Sequence, residues 1–179
     1  MKGQISDLYG QITGEQSGLE SLLNKIPGLS GYMEKGKRRD ADELLRMTVS
    51  ARLEEARLQL GAVTEALGRD IMKAIDHAEP LGKVDTRLMG LIGKIKDAPQ
   101  GYAGFFDAVK VKEDDLARIY AFDEGMVNHA DDIAAGVAAL EKAVDEDGDI
   151  GAAMRSLDNL LREANTKFGS RDEVIKGIS

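Results

Sequence analysis

The chain has 179 residues, a formal net charge of -8 and no cysteine. This length supports one domain with a substantial core, and the lack of cysteine excludes disulfides, thiolate catalysis and cysteine-bound metals. The acidic balance argues against general nucleic-acid binding, and no apolar stretch is long enough for a secretory signal or a membrane span, so we expect a cytoplasmic protein.

Apolar residues recur every three or four positions and the alternation typical of strands is missing, which predicts helices throughout. The first thirty residues hold two short amphipathic stripes, of which the second ends at Pro27 and Gly28. A first long helix is predicted from 38 to 77, with its break or kink at Pro80 and Gly82. Gly68 permits an earlier break, but Ile71, Ala74 and Ile75 favour continuation of the helix.

Further helices are predicted over 84–97, 113–145 and 149–176, and Pro99 ends the first of them. Between the last two, Asp147, Gly148 and Asp149 predict a turn in which Asp149 caps the following helix. Short connections favour antiparallel neighbours. We therefore predict an all-α fold, an up-and-down antiparallel four-helix bundle with a short helical N-terminal preamble. A single domain spans 1–179, with short helices in 1–30 and the bundle in 38–179.

The third long helix carries a heptad seam from Leu116 to Val144 that only Asp123 interrupts. Folding the hairpin about its turn pairs residues whose numbers add to about 294, which brings Asp123 to Arg171. We expect this pair to select the helix register. Two alternative roles stay open for Asp123, namely a water-exposed edge position and, least favoured, a catalytic acid.

A basic cluster precedes the first long helix and consists of Lys35, Lys37, Arg38 and Arg39. Acidic residues follow it at once, so it is either a solvated helix start or a docking patch for an acidic partner or a lipid headgroup.

Aromatic residues concentrate in a glycine-containing loop that holds Tyr102, Phe105 and Phe106. These side chains either seal the end of the bundle or form a recognition surface. Antiparallel helices place Tyr32 and the basic cluster at the same end as this loop, so we treat all of them as candidate interaction residues.

No catalytic set, cofactor motif or metal site is predicted. His77 and His129 lack the Glu-x-x-His spacing of di-iron bundles, and the acidic turn at 145–149 departs from a calcium-binding loop at its sixth and twelfth positions.

The chain also resembles an uncharacterised family of small bacterial helical-bundle proteins with no assigned function. The resemblance is carried by the following segments: Ile26-Pro27-Gly28 with Gly31-Tyr32, Lys37-Arg38-Arg39, and Gly101-Tyr102-Ala103-Gly104-Phe105-Phe106-Asp107. It implies a bacterial, cytosolic origin and draws interest to the two Gly-Tyr loops, but it implies no activity, cofactor or catalytic residue.

The leading hypothesis from the sequence is a non-enzymatic interaction or scaffold module that binds a protein partner or itself. One alternative is a peripheral membrane protein that uses the N-terminal amphipathic helix and the basic cluster, although its polar face has Lys2 as the only cation. A second alternative is a carboxylate-lined metal-binding bundle.

Overall fold

A computed structural model describes residues 20–29, 38–98, 113–170 and 173. Four long helices account for most of these residues, and we label them α1 (Arg38–Gly68), α2 (Ile71–Asp97), α3 (Glu113–Asp145) and α4 (Ile150–Gly169). A short helical segment occupies 20–25, and no strand occurs in the described ranges. The predicted all-α fold class is therefore confirmed.

The predicted apolar stripes are the buried faces of three helices. On α1, Leu53 and Leu60 are 1% exposed, and on α3, Ile133 and Val137 are fully buried. The stripe of α4 begins at Ile150 as expected. The stripe predicted for 84–97 is buried on α2 as well, so three-four spacing located the core correctly except at Ile71 and Ile75, which are exposed.

The chain divides into two compact units, with boundaries inside α1 after Arg46 and inside α3 after Val127. The second unit contains Met47–Ala98 and Asn128–Gly169 and therefore holds all of α2 and α4. The prediction of a single domain stays a prediction.

The boundary between α1 and α2 corrects the sequence-based prediction. We placed the end of the first long helix at 77 and the break at Pro80, but α1 ends at Gly68 and α2 runs through Pro80. Asp70 provides the reason, because its Oδ1 accepts hydrogen bonds from the backbone amides of Met72 at 2.9 Å and Lys73 at 3.2 Å. Pro80 has no N–H, so one backbone carbonyl of the preceding turn lacks its helical hydrogen bond. Because Pro80 is exposed, water can donate a hydrogen bond to that carbonyl instead.

The turn between α3 and α4 forms as predicted. Gly148 N donates to the carbonyl of Ala143 at 2.8 Å, which closes the end of α3, and Asp147 adopts a left-handed conformation with φ of 54°. Asp149 Oδ1 accepts from Ala152 N at 2.8 Å, so its predicted role as the cap of α4 is confirmed. The carboxylate of Asp149 therefore serves the turn, whereas that of Asp147 pairs with Lys73 of α2.

In the second unit the helices pack side by side as a four-helix bundle. The ion pairs Arg57–Asp85 and Glu54–Lys96 join α1 to α2 in antiparallel order. Polar contacts also join α1 to α3 and α2 to α4, in each case between parallel helices; the contacts are Arg52–Asp131, Arg87–Asp158 and Lys94–Asn165. Gly136 packs on Leu157 and completes the ring by joining α3 to α4, close to the predicted hairpin register. The order around the bundle is thus α1, α2, α4, α3.

The first unit contains buried charges. Asp42 is 2% exposed and its Oδ2 lies 3.2 Å from Nε of Arg46, one helical turn away. Asp123 is 1% exposed, which contradicts the interpretation of it as a water-exposed edge residue. Its predicted partner Arg171 lies outside the described residues, so the registry pair stays a prediction.

Glycines inside helices fall into two structural classes. A Cβ on Gly136 would lie 3.1 Å from Cδ1 of both Leu157 and Leu160, so close helix packing explains this residue. A Cβ on Gly61 would meet no atom of the described residues within 4 Å. Close packing therefore cannot explain Gly61.

Changing these two glycines should have opposite effects on stability. We expect Gly61→Ala to raise the free energy of unfolding by about 0.5–1 kcal/mol, because alanine loses less backbone entropy in a helix. Gly136→Leu should lower it by about 1–3 kcal/mol through overpacking. Urea denaturation followed by circular dichroism measures both, and equal effects would show that the α3–α4 packing is wrong.

The Asp42–Arg46 pair gives a second stability prediction. Arg46→Met leaves a buried carboxylate without this cation and should cost about 3–5 kcal/mol in unfolding free energy. The double variant Asp42→Leu with Arg46→Met removes both charges and should recover most of that loss. An unfolding midpoint for Arg46→Met equal to that of the wild type would contradict a buried role for the pair.

Candidate interaction surface

Most of the interaction residues predicted from sequence lie outside the described residues. These are Tyr32, Lys35, Lys37, Tyr102, Phe105 and Phe106. Arg38 and Arg39 begin α1, but their side chains are likewise outside the described part. Their grouping at one end of the bundle therefore stays a prediction, and the candidate surface in the described part of the chain lies on α2.

The side of α2 that faces away from the bundle carries an apolar surface. Leu81, Val84 and Leu88 point into the core, and the neighbouring helices cover the two flanks of α2. At 3.6 residues per turn, the remaining side faces solvent. We call it the outer face of α2, and it consists of Ile71, Met72, Ile75, Glu79, Gly82, Thr86, Met89, Gly90 and Gly93.

Large apolar side chains are unusually exposed on this outer face. Ile71 is 74% exposed, Ile75 69% and Met72 67%, and Met89 farther along the helix is 51% exposed. The first three lie within two turns of one another and form a contiguous patch. Single exposed apolar residues are normal on protein surfaces, whereas a cluster of them is a candidate site of contact with protein or membrane.

Glycines occupy the other half of the same face. A Cβ added to Gly82, Gly90 or Gly93 would meet no atom within 4 Å. Each helix-interior glycine costs about 0.5–1 kcal/mol relative to alanine, and no packing within the described chain offsets that cost here. These three positions therefore leave shallow open space along the helix surface. In the patch, by contrast, large side chains project from the helix.

Ion pairs on both flanks fix the rotation of α2 and keep the outer face turned outward. Asp85 receives Nε of Arg57 from α1 at 2.8 Å, and Lys96 pairs with Glu54 of the same helix. On the α4 side, Arg87 Nε lies 2.8 Å from Asp158 Oδ1, although its N–H does not point at that oxygen. Partly exposed pairs of this type add little stability individually, but together with the core they specify one orientation.

One ion pair lies at the edge of the outer face, between Glu79 on this face and Lys83 beside it. Lys83 Nζ donates to Glu79 Oε1 at 2.6 Å, and this hydrogen bond and the lysine charge lower the pKa of the Glu79 carboxyl. Both side chains are largely exposed, at 63% for Lys83 and 80% for Glu79. Both side chains are therefore accessible and can form ion pairs with another molecule in place of each other.

A cavity of about 340 Å³ lies beside this face, between α2 and α4. Val84 and Met154 form its apolar floor, and its rim is formed by Asp76, His77, Pro80, Lys83, Gly151, Arg155 and Asp158. Two of its charges are already engaged, because Lys83 pairs with Glu79 and Asp158 pairs with Arg87 and Arg162. The cavity shows no convergent set of groups that identifies a ligand.

Metal coordination finds no support in the described part of the chain. Within 20–29, 38–98, 113–170 and 173, no three His, Asp or Glu side chains cluster in a way that could hold an ion. Among the same residues, no helix is long and apolar enough to cross a membrane.

Comparisons of the chain with protein-family models, with curated proteins and with solved structures found no match.

The outer face of α2 was missed at the level of sequence because the helix boundary was misplaced. Ile71 and Ile75 were interpreted as a continuation of the buried stripe of the first helix, whereas both are exposed at the start of the second. Asp70 was the available signal, since an aspartate directly before an apolar stretch is a favourable helix cap.

The patch should be dispensable for folding. At dilute protein concentration we expect Ile75→Lys to change the free energy of unfolding by less than about 0.5 kcal/mol, as for other exposed substitutions. Leu88→Ala, in the buried face of the same helix, should cost about 2–5 kcal/mol. Chemical denaturation of both variants checks this contrast, which a large loss in Ile75→Lys would overturn.

Proposed function

We propose that the chain is a non-enzymatic interaction module that binds protein through the outer face of α2. The observation that carries this proposal is the exposure of Ile71, Met72 and Ile75 at the start of a helix whose core-facing side chains are buried from Leu81 onward. Apolar side chains in this arrangement gain free energy when a partner removes them from water.

The form of the surface favours a helix or another narrow apolar ridge as the bound element. The glycine positions at 82, 90 and 93 leave room for a partner backbone to approach α2 closely. Helix-in-groove recognition uses apolar anchors spaced three and four residues apart, which is the spacing of the outer face. We further propose that this binding takes place in the cytoplasm, which the cysteine-free composition supports.

Comparative affinity purification tests the proposal. The tagged full-length chain is expressed in its source cell as wild type, as Ile71→Lys with Ile75→Lys, and as Leu58→Lys. Leu58 lies on α1, is 78% exposed and controls for the loss of any exposed apolar side chain.

We expect at least one protein, which can be the untagged chain itself, to be recovered with the wild type and with Leu58→Lys. Its recovery with the Ile71→Lys, Ile75→Lys variant should fall at least tenfold. Equal recovery with all three forms would show that the outer face of α2 is not the binding surface.

A further inference from the structure

The outer face of α2 is complementary to itself when two copies run antiparallel. A two-fold axis level with Gly82 brings together residues whose numbers add to about 162–164. Ile71 then faces Gly93, Met72 faces Gly90, and Ile75 lies next to Met89 of the other copy. Each bulky residue at the start of the helix thus meets open space or an apolar side chain near its end.

The same register also satisfies the charges on this face. Glu79 of one copy comes level with Lys83 of the other, and the two-fold axis repeats the contact in reverse. The pair that now forms within one helix can therefore exchange partners across the two copies without leaving a charge unmatched.

The overall charge of the chain favours this helix as the meeting surface. The complete chain has a net charge of -8, but α2 carries five basic and four acidic residues. Two copies that approach through α2 therefore bring nearly neutral helices together, whereas an approach through α3, with nine acidic and two basic residues, opposes strongly acidic surfaces.

From these observations we propose that the outer face of α2 binds the same face of a second copy, antiparallel about Gly82, and so forms a homodimer. This inference rests on the proposed function and names its partner. The contact uses one face of one helix on each side, which is characteristic of weak, reversible association.

Cysteine cross-linking tests the geometry, because the natural chain contains no cysteine. A residue on the two-fold axis meets its own copy, so Gly82→Cys should form a disulfide-linked dimer under mild oxidation. Leu58→Cys is the matched control, since Leu58 is highly exposed but lies on α1, outside the outer face of α2. Equal cross-linking of the two variants would overturn the proposal.

A size-exchange experiment separates specific pairing from general stickiness. Gly90→Leu adds apolar surface to the outer face, so non-specific association would strengthen. In the proposed register it collides with Met72 of the other copy, and we expect at least a tenfold weaker dimer by sedimentation equilibrium. The double variant Met72→Ala with Gly90→Leu should restore dimerisation, and stronger association of Gly90→Leu alone would refute the register.

The result also distinguishes this inference from the proposed function. A wild-type chain that sediments as a monomer at its highest soluble concentration overturns the homodimer. Suppose that the wild type is a monomer and co-purifies with another protein, and that the Ile71→Lys, Ile75→Lys variant does not recover this protein. The outer face then binds a different protein and the proposed function stands. If the wild type dimerises and Ile75→Lys dimerises equally well, the outer face is not the dimer contact and the homodimer proposal is wrong.

Discussion

The cap that Asp70 places on α2 determines where this helix begins and therefore joins Ile71 and Ile75 to the helix that carries the core stripe from Leu81 onward. Asp70 accepts hydrogen bonds from two amides of the first turn, so the helix starts at Ile71 and continues without a break into the core stripe. The stripe from Leu81 onward must face the bundle, because its burial supplies the main favourable free energy. Ile71 and Ile75 are consequently carried to the opposite side of the same rigid helix.

This arrangement explains why the sequence predicted the core better than it predicted the surface. Burial depends on three-four spacing, which is visible in any window of the α3 and α4 sequences. The outer face of α2 depends instead on where one helix stops and the next begins, and two signals competed for that boundary. Pro80 is the stronger helix breaker in general, but it lies at an exposed position where water compensates for the missing hydrogen bond.

The buried carboxylates show a second limit of prediction from the sequence. Buried Asp123 was identified correctly as a charged residue in a core seam, because the heptad around it is otherwise apolar. The buried contact of Asp42 with Arg46 was less visible, since both residues follow a run of charges that is typical of a solvated helix start. Charge pattern alone does not indicate which carboxylate will be covered by the chain that packs over it.

Glycine placement carries information that hydrophobic pattern does not. Gly136 has a neighbour inside the chain that accounts for it, whereas the three glycines on α2 have none in the described ranges. Their alignment with the exposed isoleucines on one side of the helix connects two features that each cost the isolated chain stability or solubility. A contact in which the exposed isoleucines fill the open space beside the glycines offsets both the cost in stability and the cost in solubility.

Such a contact also limits the number of copies that can assemble. In an isologous pair each copy uses its outer face of α2 completely, so no equivalent surface remains for a third copy. The acidic surplus of the chain lies outside α2, because that helix contains one more basic than acidic residue. The remaining surfaces of the pair therefore repel further copies, and a closed dimer is the end point that charge and geometry favour together.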